Sequence, residues 1–140
     1  MTRPRLLYKL TPEMEEAVKT IHEQADPGMI GEMENGHAMA KSMTALTFTR
    51  YDRPKYWAEI GTKGPDLVYH FFPLEGQNFP DNFVEKMGDA FHEIFAIPEK
   101  IEAAPSQELN SWAVRVRGGA HPLLDPAVPI VVLDMLDQKL

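Results

Sequence analysis

The sequence contains no cysteine. That excludes disulfides, thiolate nucleophiles and zinc–thiolate centres, and it accords with a reducing compartment. No run approaches the ~20 apolar residues of a membrane-spanning helix. Met1 to Leu10 carries charge but no apolar stretch of signal-peptide length, and no Asn-x-Ser/Thr acceptor occurs. The expected location is the cytoplasm, with no membrane contact. The P-loop, the G-x-G-x-x-G turn, the G-x-S-x-G elbow and the EF-hand loop are all missing. Ser42, Ser106 and Ser111 lack an elbow context. The five histidines show neither an H-x-x-x-H nor an H-x-x-E-H spacing. No cofactor and no metal are therefore expected. A concentrated basic face is also lacking, and phosphate backbones require one, so nucleic acid is not an expected partner.

What is present is a chain of 140 residues, 44% apolar and 25% charged, with a formal net charge of −7. That size suits one domain, residues 1–140, with a core that needs no staples. The acidity is uneven. Residues 11–35 carry Glu13, Glu15, Glu16, Glu23, Asp26, Glu32 and Glu34 against Lys19 alone.

Arg5 to Leu10 reads as a short first strand. Thr11-Pro12 reads as a helix start, with Thr as N-cap and Pro at the first position. Met14, Ala17, Val18, Ile21 and Ala25 then recur at helical spacing. In MIGEMENGHAMA, Asn35-Gly36 favours a hairpin over a helix. Strands are expected at Ala45–Tyr51, Tyr56–Gly61 and Leu67–Phe72, the last two joined by a turn at Lys63-Gly64-Pro65-Asp66. A second amphipathic helix follows Pro80-Asp81, with Phe83, Val84, Met87, Phe91, Ile94 and Phe95 on one face. Residues 99–109 read as a loop. Trp112, Val114 and Val116 alternate as a half-buried strand, and a final helix is expected from about Pro129. The order implies an α+β fold: an antiparallel sheet of about four to six strands packed by two or three helices. A ferredoxin-like sandwich and a helix–sheet–helix, chaperone-like layout both satisfy it.

Four constellations are candidates for carrying chemistry. Met29, Met33 and His37 suit Cu(I) if their segment is helical, but a hairpin separates them. His70 sits in a strand, sharing a face with Val68 and Phe72; one reading pairs it with Glu59 of the neighbouring strand as an acid/base pair, and the other is a strand histidine satisfied by a neighbour or by water. Arg115 and Arg117 share a strand face ahead of Gly118-Gly119, an arrangement suited to a carboxylate or phosphate; pairing with the chain's own acids is the other reading. The aromatic strands carry bulk on both faces, with Trp57 beside Tyr56 and Phe71 beside Phe72. Either a second layer, such as the C-terminal helix, covers the far face, or that face is an interface.

The leading functional expectation is an acidic protein–protein interaction module: an accessory subunit, chaperone or immunity-type inhibitor with no catalysis of its own. The alternative is a small-molecule binder or small acid/base enzyme. Its pocket would lie between sheet and helix, lined by Trp57, Tyr69 and Phe71, with His70 or Arg115 as polar contacts. A homo-oligomeric structural component is the third. The expected partner is another protein or a second copy of the chain.

Overall fold

Helix α1 (Pro12–Gln24) begins where side-chain chemistry favours a helix start. The Thr11 hydroxyl accepts the Met14 backbone N–H at 3.2 Å, satisfying one of the orphan donors of the first turn. Met14, Ala17, Val18 and Ile21 are buried, as their spacing requires. Burying the methionine, valine and isoleucine side chains contributes about 1.5–3 kcal/mol each. The computed structural model describes residues 5–6, 10–24, 31–32, 37–41, 45–50, 54–95, 98–106, 110–119 and 127–140.

The sheet is built from β1 (Arg5–Leu6), β2 (Gly31–Glu32), β3 (His37–Lys41), β4 (Ala45–Arg50), β5 (Tyr56–Lys63), β6 (Asp66–Pro73), β7 (Ile101–Ser106) and β8 (Ser111–Val116). Its spatial order is β1-β7-β8-β6-β5-β4-β3-β2. Pairing is antiparallel throughout except for the parallel edge pair β1–β7. Six strands of five to eight residues form the body of the sheet. The two-residue strands β1 and β2 extend its edges. The β5–β6 hairpin turns at Gly64-Pro65, where Gly64 adopts φ +58°, a conformation that suits a residue without a Cβ. β2 and β3 pair antiparallel, as a hairpin between them requires, with Glu32 opposite Ala38; residues 35 and 36 lie outside the described residues. So do Met29, Met33 and the side chain of His37, the components of the copper reading.

Helices α2 (Phe83–Ile94) and α3 (Ala127–Lys139) pack on one sheet face. That face presents Leu46, Phe48, Tyr56, Ala58, Ile60, Leu67, Tyr69, Phe71, Ile101, Ala103, Val114 and Val116 to Phe83, Met87, Phe91, Val132, Leu133 and Leu136. Helix α1 covers the other face, over Ala45, Val68 and Ala113. With helices on both faces, the fold has helix–sheet–helix layering and not the one-sided cover of a ferredoxin-like sandwich. The second layer is therefore α1, and the C-terminal helix joins α2 on the opposite side.

One expectation is corrected. Residues 101–106, read from sequence as loop, form β7 between β1 and β8. Ala103, Ala104 and Pro105 carry little strand propensity. The strand is imposed by its neighbours and buried on both faces. Pro105 lies beyond the two positions paired to β1, where a missing N–H is tolerated.

Candidate functional site

The two sheet faces differ in chemistry. All seven buried polar or charged residues among those described, Thr47, Thr49, Glu59, His70, Glu102, Ser111 and Arg115, lie by strand alternation on the face under α1. Buried polar groups are costly unless paired, and most of these pair in two clusters, one at each end of α1.

The first cluster lies at the C-terminal end of the helix. Glu59 and His70 are direct cross-strand partners, and His70 Nδ1 is 2.9 Å from Glu59 Oε1. This is the cross-strand contact expected between Glu59 and His70. His22, in the last turn of α1, brings its Nδ1 to 2.8 Å from both oxygens of the same carboxylate. Behind them, Ser111 Oγ is 2.8 Å from His70 Nε2. The side chains of His70 and Glu59 are 2% and 4% exposed, and that of His22 is 59% exposed. The array therefore runs from solvent to a buried hydroxyl.

A carboxylate only accepts hydrogen bonds. With Glu59 ionised, both contacts place a proton on Nδ1, leaving Nε2 as the basic nitrogen of each neutral ring. The Ser111 hydroxyl then donates to His70. The Phe72 ring meets His22 edge-on at 6.2 Å and His70 at 5.3 Å between centroids, which limits how either imidazole can turn. Trp57 stands half-buried on the same face, across from Phe72. Tyr69 and Phe71 lie on the opposite face, inside the α2–α3 core. The expected pocket lining of Trp57, Tyr69 and Phe71 is thus corrected: alternation divides those residues between the two faces.

The second cluster lies at the N-terminal end of α1. Arg115 and Arg117 both donate to the carboxylate of Glu102, which stands opposite Arg115 on β7. Arg115 also meets Glu13 of α1 at 3.1 Å and Asp66 at 3.9 Å. Burial pulls the Arg115 pKa down, but the Glu102 carboxylate, helped by Glu13, more than offsets this and leaves it raised. The Gly118 N–H is taken by Asp66 Oδ1 at 3.0 Å. The carboxylate that Arg115 and Arg117 hold is the chain's own, the internal pairing that was the other reading of these two residues.

Sequence reasoning found Glu59 and His70 and missed His22, 37 residues from its partner. A signal was present: His22 continues the row Met14–Val18 at i+4 spacing, which puts it at the edge of the buried stripe. Comparison with known protein families, with curated proteins and with solved structures finds no match to this chain.

Proposed function

We propose that this domain is a small-ligand-binding protein working at the His22–Glu59–His70–Ser111 array, with acid/base chemistry available there. One observation carries the reading: a buried carboxylate is shared by two imidazoles, one sealed in the protein and the other open to solvent. A sheet face needs no such array for stability, since apolar residues of equal volume serve as well or better. The carboxylate holds the ring of His22 in one tautomer, as an orienting acid does for a catalytic base. With Glu59 ionised and both rings neutral, the array carries one negative charge, so it favours a ligand that brings a proton or a positive charge.

The interaction-module reading rests on a different observation. Val128 and Val131 of α3 are about half exposed, the only large apolar side chains so exposed among the described residues. An accessory-subunit, inhibitor or homo-oligomer role would use that surface and leave the array idle.

Native mass spectrometry of protein purified gently from its source lysate separates the two. The ligand reading expects a monomer with a small added mass that His22→Gln loses. Gln keeps helix propensity at this exposed position, so the fold is retained. A protein-sized addition or a homo-oligomer, unaffected by His22→Gln, would support the interaction reading instead. A bare monomer from both proteins would contradict both.

A further inference from the structure

We propose that His22, Glu59 and His70 are three ligands of a divalent first-row transition-metal ion, with zinc as the reference ion and a further coordination position open on the His22 side. The inference rests on the array being the working site, and it names what the array holds.

Three separate elements bring one donor atom each into a single small volume, all within 4.8 Å of one another. Two come from α1 and β6 as imidazole nitrogens and one from β5 as a carboxylate oxygen. An ion ~2.0–2.1 Å from each donor holds them roughly 3–3.5 Å apart. The 2.8 and 2.9 Å contacts to Glu59 therefore open by about half an ångström, within reach of side-chain torsions. The ion takes the place of the two Nδ1 protons, and its charge complements the buried carboxylate.

The donor set selects the ion class. Two imidazoles with one carboxylate suit zinc, iron, nickel or copper, whereas calcium and magnesium require oxygen ligands. Three protein ligands leave zinc one position short of its usual four, and the exposure of the His22 ring places that position toward solvent.

The surroundings match those of a ligating histidine. Such a ring normally gives its other N–H to an acceptor that fixes its orientation. Ser111 Oγ stands at that atom of His70, and a hydroxyl accepts as readily as it donates. Thr47, directly across from Glu59 on the same face, is 1% exposed, and its hydroxyl has no hydrogen-bond partner among the described residues. A buried polar atom left unpartnered beside the donors is expected where a ligand or metal-bound water completes the site. The site is also preformed. Hairpin register sets Glu59 against His70, and the apolar stripe of α1 sets the position of His22.

The test is titration of the chelator-treated full chain with Co2+, followed by displacement with Zn2+. The expected result is visible d–d absorption of four-coordinate Co2+, saturating at a single ion per chain and bleached by Zn2+. His22→Gln should remove these bands while its circular dichroism and melting remain those of the unmodified protein. Ser111→Ala should weaken Zn2+ binding about 10–100-fold through His70, without abolishing it. No Co2+ absorption and no Zn2+ binding heat in the unmodified protein would overturn the inference. Undiminished bands in His22→Gln would also overturn it, because the ion would then sit elsewhere. If the metal-free chain binds an organic ligand that His22→Gln loses, while neither ion binds, the metal inference fails and the ligand-binding reading stands.

Discussion

Glu102→Ala is expected to destabilise the protein by about 3–5 kcal/mol, toward the lower end of that range. Glu102 and Arg115 face each other across the β7–β8 ladder, with side chains 5% and 8% exposed. Truncating the carboxylate leaves a buried guanidinium with Glu13 and Asp66 as its remaining counter-charges. Glu13 is more than half exposed and Asp66 is 3.9 Å away, so they compensate in part. A guanidinium does not escape by losing its proton, so the positive charge stays in place. Arg117 uses the other oxygen of Glu102 but is half exposed, and Arg117→Ala should cost only about 0–1 kcal/mol. Urea unfolding followed by circular dichroism measures both. Equal losses in the two variants would show that the buried pair is not the source of the effect.

Tyr69→Phe is expected to stabilise the fold by about 1–3 kcal/mol. The Tyr69 ring is fully buried, stacked on Phe71 and edge-on to Phe91 at 4.9 Å. Its hydroxyl has no partner among the described residues, so removing it removes a desolvation cost and keeps the ring contacts. Burial also raises the pKa of this phenol far above its ordinary value. Above pH ~10 the unfolded chain therefore releases a proton that the folded protein retains. The folded state then binds more protons, and stability falls as pH rises. The Tyr69 contribution to that slope approaches about 1.4 kcal/mol per pH unit. Unfolding of both proteins at pH 8 and at pH values above ~10 should show a gap between them that widens with alkalinity. A constant gap would mean that Tyr69 ionises in the folded state.

The legible parts of the fold were those with local causes. Thr11-Pro12 marks a helix start because a hydroxyl cap and a residue without an N–H both suit it. Gly64-Pro65 marks a turn, and once β5 and β6 form a tight hairpin, alternation alone sets Glu59 beside His70. β7 is a strand for non-local reasons, since Ala103, Ala104 and Pro105 do not ask for one. With Glu102 assigned to a loop, nothing in the sequence set it opposite Arg115, so pairing with the chain's own acids was legible only as one of two readings, without its partner. Nor could the sequence say which sheet face α1 covers, because Trp57 and Tyr56, like Phe72 and Phe71, load both faces with aromatics. His22 joins Glu59 only after that choice is made. The missing member of the array is thus a product of helix docking, with a single trace in the Met14–Val18–His22 row.

The array itself is tested most directly by the tautomers of the five histidines, read by long-range proton–nitrogen correlation in the NMR spectrum of chelator-treated protein. Neutral His22 and His70 are predicted to carry their protons on Nδ1, both held by Glu59, and both signals should move in Glu59→Gln. Protons on Nε2 of both rings, or spectra indifferent to Glu59→Gln, would contradict the account.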